Sequence, residues 1–389
     1  MPRSGGKQSM EVKRFDIARG ATRQVRAVAH RSGFVAVSME PTPGAGVPGA
    51  GVPEAWSVGF AYLFSHPSNG THFVSIMTHF AQDLDGLAGA PRTLSISAEG
   101  VLAVPVHTAG VQMFALAVPV EQYQPARASP WHHLDNIGLC TFAKWIGPVN
   151  GARALVTMTS EPFSTDLDIC VYGKLGEARP ISNHILRAPI ESIVCFDAAE
   201  PGHVAFVVKR GGGFFLYVLV LQANGSFGQR VLDLAQPGLR GNDVPPNLIP
   251  VSLAVGDEQV AIGFSPANVQ TLRPLWKPPG LVEAYCVASG ELRLRRLLPN
   301  SLPTAVATSG SRLLVGASSE ASGWQGGIYA MSNKGSGNYA VCHGDEWNRF
   351  WLSGSLHLDK LSFCYACTKV AGAETVTTVE YASVPVRAR

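Results

Sequence analysis

The sequence predicts an all-β chain of 389 residues, arranged as one ring of four-stranded repeats. Apolar runs are short and are separated by turn residues, with 41 Gly and 27 Pro in the chain. No segment has the apolar spacing of an amphipathic helix. Strands recur in groups of four that start near residues 25, 93, 137, 191, 250, 303 and 350. Such intervals are typical of propeller blades with loop insertions, so we predict a seven-bladed β-propeller.

The clearest repeat unit is residues 303–342. Apolar strands are predicted at 303–308, 312–317, 326–331 and 338–342, and Ser- and Gly-rich turns separate them. Because two strands and a tight turn form a hairpin, this unit is predicted to be a four-stranded antiparallel sheet.

The same pattern divides most of the chain. The first unit has strands at 25–30, 34–39, 56–64 and 72–77, and the second at 93–97, 101–106, 111–118 and, poorly marked, 121–124. The third unit has strands at 137–146, 153–159, 168–173 and 181–187, and the fourth at 192–197, 204–209, 214–221 and 227–232. The fifth has strands at 250–255, 259–264, 281–287 and 291–297.

The seventh unit has only three strands, at 350–355, 361–367 and 375–381, while a spare strand is predicted at 10–18. Pairing the spare strand with the last unit would close the ring and cover an open edge. Eight blades, six blades or a pair of β-sandwiches are the alternatives, although sandwiches explain the four-strand count less well. The predicted organisation is an N-terminal arm at 1–9, a propeller at 10–386 with inserts at 41–54 and 265–280, and a tail at 387–389.

In this repeat pattern the chain resembles the WD40-like propeller superfamily, over roughly residues 10–386. The resemblance is one of architecture. The Trp-Asp dipeptide of that superfamily is absent, and its Gly-His element appears only as Gly202-His203, beside a second strand instead of before a first one. No specific family follows, so no functional residue is carried over.

Composition excludes several classes of protein. Charged residues make up 15% and hydrophobic residues 46%, which permits a large core and excludes extensive disorder. The longest apolar run, 214–221, is far shorter than the roughly 20 residues of a membrane-spanning helix. Residues 1–20 lack the apolar segment of a secretory signal, so we expect an intracellular, cytoplasmic protein, or a virion component if the source is viral.

The seven cysteines lie mostly in apolar runs, which is typical of buried thiols. Cys364 and Cys367 form a CxxC motif, but within one strand they should point to opposite faces. We therefore interpret them as core residues and predict no metal and no cofactor.

Carboxylates and histidines occur where the chain should enter the first strand of a blade, at the mouth of the central channel. Such groups could form a metal or acid–base site, although solvated turns are the simpler interpretation. The candidate channel-mouth residues are His132, His133, Asp135, Asp243, Asp345 and Glu346.

Basic residues are concentrated at the N-terminus. Eight basic and two acidic residues give residues 1–31 a net charge of +6, which leaves −3 for the rest of a chain whose total is +3. Arg293 and Arg295 should share one face of an outer strand, where they could block aggregation or bind phosphate. The candidate partner-binding residues are Arg3, Lys7, Lys13, Arg14, Arg19, Arg23, Arg293 and Arg295.

These observations favour a non-enzymatic scaffold that binds other protein subunits of a larger assembly. The sequence has no catalytic signature, but it has long loops and a charged arm. An enzyme or ligand-binding site at the channel mouth is the first alternative. Binding of nucleic acid or another acidic surface through residues 1–31 is the second.

Overall fold

A computed structural model gives the arrangement of most of the chain. It describes residues 13–19, 23–41, 55–63, 74–80, 91–106, 110–119, 126–135, 137–149, 152–161, 164–173, 179–189, 192–234, 248–266, 280–298, 302–318, 327–332, 339–343, 350–359, 362–371 and 374–383. These residues form seven four-stranded antiparallel sheets, which are the seven predicted blades.

Blades 1 to 4 follow one another along the chain. Blade 1 contains β2 (Arg23–Arg31), β3 (Phe34–Pro41), β4 (Ala55–Tyr62) and β5 (Val74–Phe80). Blade 2 contains β6 (Ser95–Ile96), β7 (Val101–Val106), β8 (Gly110–Ala117) and β9 (Arg127–Leu134). Blade 3 contains β10 (Leu139–Val149), β11 (Ala152–Ser160), β12 (Asp166–Tyr172) and β13 (Ser182–Arg187). Blade 4 contains β14 (Ile193–Ala199), β15 (His203–Arg210), β16 (Gly213–Leu221) and β17 (Phe227–Asp233).

Blades 5 to 7 complete the ring. Blade 5 contains β18 (Leu248–Val255), β19 (Gln259–Pro266), β20 (Gly280–Cys286) and β21 (Leu292–Leu298). Blade 6 contains β22 (Leu302–Ser309), β23 (Arg312–Ser318), β24 (Gly327–Ser332) and β25 (Tyr339–His343). Blade 7 contains β26 (Phe350–Asp359), β27 (Ser362–Ala371), β28 (Glu374–Ser383) and β1 (Lys13–Arg19).

The N-terminal strand closes the ring, as predicted. β1 pairs antiparallel with β28, with Lys13 opposite Tyr381 and Arg19 opposite Val376. β1 thereby becomes the outermost strand of blade 7, joins the two ends of the described chain, and covers an edge that would otherwise be open.

The described residues form seven apolar core clusters, one between each pair of neighbouring blades. They form because strand residues alternate between the two faces of a blade, and both faces are covered by a neighbour. The first strands of neighbouring blades pack against one another around the centre. Six of these seven strands carry a β-bulge near their start, and the exception is the two-residue β6. A bulge bends and twists its strand, which suits the tightly curved inner ring.

The fourth strand of blade 2 differs from the prediction. It is β9, and residues 121–124 lie outside the described residues. The sequence RASPWHHL carries a proline and two histidines, so its pattern resembles a polar loop. Pro130 lies in the outermost strand of its sheet, the position within sheets where proline is usually found.

The two faces of the ring differ in how the strands are connected. The turn face carries the turns between first and second strands, and neighbouring turns bond to one another. The Ser32 hydroxyl donates to the Ala98 carbonyl over 2.8 Å, and the Gly310 N–H donates to the Asp257 carboxylate over 2.8 Å. Second strands end at the opposite face, the insert face, so both predicted inserts are flanked by residues of that face.

Two further expectations can be compared with the structure. Cys364 packs in the cluster between blades 7 and 1 and Cys367 in the cluster between blades 6 and 7, which confirms that they point to opposite faces as core residues. Among the described residues, no helix is long and apolar enough to span a membrane.

Candidate functional site

The central channel is bordered by the first strands, so polar side chains on those strands determine what it can bind. At the turn face, Arg31 of blade 1 forms an ion pair with Glu200, which follows β14 in blade 4, at 3.1 Å between Nη2 and Oε1. Blades 1 and 4 lie on opposite sides of the ring, so this pair spans the channel. Gly147 makes room for it, because an added Cβ would lie 2.6 Å from Glu200 Cγ.

A second ion pair joins neighbouring blades. Lys144 on β10 donates to Oδ1 of Asp197 on β14, and both side chains are largely buried. The other carboxylate oxygen of Asp197 accepts a hydrogen bond from the N–H of Val255 in blade 5, at 2.8 Å. Asp197 thus links blades 3, 4 and 5, and its charge is matched within the protein.

A histidine pair lies at the boundary between blades 7 and 1. Nδ1 of His30 and Nδ1 of His357 are 2.9 Å apart, so one ring donates and the other accepts. Nε2 of His30 lies 3.1 Å from the Ser362 hydroxyl, and the His30 ring meets Tyr381 edge-on. Burial lowers the pKa of His30 to about 3. Burial and then the proximity of His30, Lys144 and Arg31 hold the pKa of His357 well below its usual value, so both rings are neutral at neutral pH.

The channel groups described here are therefore bonded mainly to one another. No group of three or more His, Cys, Asp or Glu side chains that could hold a metal ion occurs among the described residues. In that part of the chain, the polar groups of the channel join blades.

A different kind of surface lies at the outer rim, between blades 2 and 3. The described residues include six exposed large apolar side chains, and three of them lie at this boundary: Trp131, Ile181 and Ile185. The other three, Val118, Val231 and Val251, belong to blades 2, 4 and 5. We call the cleft between the outer strands β9 and β13 the rim groove. Concentrated apolar exposure of this kind is typical of interaction surfaces.

The structure corrects the placement of the candidate residues of the third unit. His132 and His133 lie in β9, the outermost strand of blade 2, and Asp135 follows that strand. They are not in a loop at the channel mouth, because the chain there completes blade 2 before it enters blade 3. Asp243, Asp345 and Glu346 lie outside the described residues.

The N-terminal candidates fall partly within the described chain. Lys13, Arg14 and Arg19 belong to β1, the outer strand of blade 7, and Arg23 begins β2. Arg3 and Lys7 lie outside the described residues. The role of these residues in binding a partner stays a prediction.

Arg293 and Arg295 have different environments on the outer strand β21. Arg295 donates to Oε1 of Glu283 over 2.8 Å, and Glu283 is only 1% exposed and also accepts from the Tyr285 hydroxyl. Arg293 is more exposed and donates to the Cys286 sulfur over 3.1 Å. Arg295 therefore neutralises a buried carboxylate, which sequence alternation alone does not show.

Sequence patterns did not single out the channel residues Arg31, Lys144, Asp197, Glu200, His30 and His357. A signal was present, because Lys144, Asp197, His30 and His357 interrupt apolar first strands. Which of them meet depends on the closed ring, since Arg31 and Glu200 are 169 residues apart in sequence.

Comparison with known proteins identifies the fold only. No family model matches the chain, and no curated protein matches it. Among solved structures, the chain is similar to the polysaccharide lyase Uly1, with 9% identity, a TM-score of 0.52, and coverage of 92% of this chain and 90% of that one.

Two β-propeller domains are similar at the same level of identity. The β-propeller domain of the trilobed protease from Pyrococcus furiosus has 9% identity, a TM-score of 0.46, and coverage of 91% of this chain and 95% of that one. The β-propeller domain of Cps50 (Swd1) from Myceliophteria thermophila has 10% identity, a TM-score of 0.46, and coverage of 95% and 100%. Such identities carry no information on activity.

Proposed function

We propose that this protein is a non-enzymatic β-propeller that binds other proteins as a subunit of a larger assembly. The proposal rests on the rim groove, where three of the six exposed large apolar side chains of the described residues are gathered. Exposing apolar surface to water is unfavourable, so a cluster of it is best explained by a partner that covers it.

Two further features support the proposal. The ion pairs Arg31–Glu200 and Lys144–Asp197 are formed within the protein, so the described channel groups stabilise contacts between blades. The described residues that flank both inserts emerge at the insert face, so a partner could contact several long connections from one side.

The direct test is purification of the tagged protein from its source at its native level, with identification of every component present in stoichiometric amounts. We expect one or more protein partners. A monodisperse monomer without partners would count against the assembly role.

Each alternative has its own measurement. A site at the channel mouth predicts a bound metal or small ligand that is lost in Asp345→Ala. Nucleic-acid binding through residues 1–31 predicts an affinity that falls steeply with salt and disappears when residues 1–9 are deleted.

A further inference from the structure

The blade 3 wall of the rim groove is formed by alternate residues of β13. Asn183 pairs with Cys170 and Ile185 with Asp168 across to β12. Cys170 packs in the apolar cluster shared with blade 2, so Ile185, which is on the same face, also faces blade 2. Ile181, just before β13, continues this row. Ile185 is 60% exposed and Ile181 47% exposed, so both side chains are open to solvent.

The blade 2 wall is formed by Trp131 and His132. Trp131 is the extra residue of a bulge in β9, since Met113 pairs with His132 and Phe114 with Pro130. The bulge directs the indole toward blade 3, where the Arg153 guanidinium lies 5.3 Å from the ring centroid. Arg153 also approaches Trp145, so this cation–π contact fixes Trp131 in place while 44% of it stays exposed.

The insert-face end of the rim groove is acidic. Asp166 and Asp168 of β12 share the face of Ile185, Glu161 follows β11, and Asp135 follows β9. Burial, and then the neighbouring Asp166 and Glu161, raise the pKa of Asp168 above its usual value. Arg187, opposite Asp166, is the basic side chain on this face of β13. Negative charge is therefore in excess at this end of the groove.

Both walls end in strands that can accept another strand. In the described sheets, β9 is paired only with β8, and β13 only with β12. An outermost strand offers backbone N–H and C=O groups to an extended segment, and side chains at alternate positions of that segment then enter the neighbouring surface.

We propose that the rim groove binds an extended segment of a partner protein, with apolar side chains at alternate positions against Trp131 and Ile185 and a lysine or arginine beside Asp168. This inference deepens the proposed function and rests on it. The apolar walls favour burial of the segment, and the acidic end sets its direction and selects basic over acidic sequences.

A random peptide library displayed on phage is the probe, selected on the wild-type protein. The strongest enriched sequence is then synthesised, and its affinity is measured by fluorescence anisotropy for wild type, Ile185→Glu, Asp168→Asn and Val231→Glu. Val231→Glu is the matched control, because it makes the same kind of change at an exposed residue of the outer strand of blade 4.

We expect enriched sequences with alternating apolar residues and a basic end. Binding should weaken about tenfold or more in Ile185→Glu, several-fold in Asp168→Asn, and not at all in Val231→Glu. Enrichment without basic residues, or equal binding to Ile185→Glu and wild type, would overturn the proposal.

Two outcomes separate this inference from the general function. If stoichiometric partners from the source remain bound to Ile185→Glu, the protein is an assembly subunit but the groove is not its docking site. If the purified wild-type protein dimerises and Ile185→Glu does not, the groove binds a second copy of this chain, and the proposed segment is wrong.

Discussion

The boundary between blades 7 and 1 and the boundary between blades 2 and 3 are formed by the same repeat, but their outer parts differ. Between blades 7 and 1, the buried His30 contacts the partly buried His357, and β1 completes blade 7. Between blades 2 and 3, the inner residues pack well, while Trp131, Ile181 and Ile185 remain exposed on the outer strands. Closing the ring therefore depends on the inner contacts between blades and on the boundary between blades 7 and 1. The rim groove is not needed for closure and is free for another role.

The largest expected contrast comes from placing the same charge at each boundary. Val379 is 1% exposed in the cluster between blades 7 and 1, so Val379→Glu buries an unpaired carboxylate and should cost several kcal/mol or prevent folding. Ile185→Glu leaves the new carboxylate in water but opposite Asp168, so it should cost no more than about 1 kcal/mol. Urea denaturation measures both, and a similar loss in the two variants would contradict the comparison.

The next comparison is between the stability effects of replacing Arg295 and Arg293, the two arginines of β21 with different environments. Arg295→Met leaves Glu283 buried without its cation and should destabilise the protein by about 3 kcal/mol. Arg293→Met removes an exposed cation and should cost less than about 1 kcal/mol. Equal effects in chemical denaturation would show that Glu283 does not depend on Arg295.

Acid should weaken the boundary between blades 7 and 1, where His30 and His357 meet. The folded-state pKa of His30 is lowered from 6.5 to about 3, so the folded protein keeps the ring neutral while the unfolded chain takes up a proton below pH 6.5. Stability is therefore fully present above pH 6.5 and falls toward pH 3, by up to about 1.4 kcal/mol per pH unit for each histidine.

The double variant His30→Gln/His357→Gln should flatten this dependence of the free energy of unfolding between pH 7 and pH 5. His133→Gln is the matched control substitution, at an exposed residue of β9 far from this boundary. An unchanged slope in the double variant would mean that other groups account for acid sensitivity.

The smallest effect is expected for the ion pair across the channel. Half of the Glu200 side chain is exposed, so Glu200→Gln should cost less than about 1 kcal/mol. The difference from wild type should shrink at high salt, because exposed charges are screened. A large, salt-independent loss of stability would indicate that the Arg31–Glu200 ion pair is essential to the ring.

The fold could be predicted from the sequence because it depends on local alternation and on turns. In the fourth blade, Asn224 and Gly225 form the tight turn before β17, with Gly225 at φ +84, as its sequence indicates. Ring closure was also predictable, since a missing strand at one end of the chain matched a spare strand at the other. β9 was missed because Pro130 and two histidines obscure the strand pattern.

The candidate site was much less predictable. Whether Ile185 is covered depends on how blades 2 and 3 pack, and whether Arg295 is paired depends on Glu283 in the neighbouring strand. Such relations arise from strand register and from packing between blades. His132 and Asp135 were singled out for their chemistry, but completion of blade 2 by β9 places them at the rim and not at the channel mouth.

The native mass of the protein purified from its source, for wild type and Ile185→Glu, is the most direct test of the central claim. We predict a wild-type mass well above 41.2 kDa with stoichiometric protein partners, and loss of a partner in Ile185→Glu. A wild-type monomer of 41.2 kDa without partners would contradict a protein-binding role for this propeller.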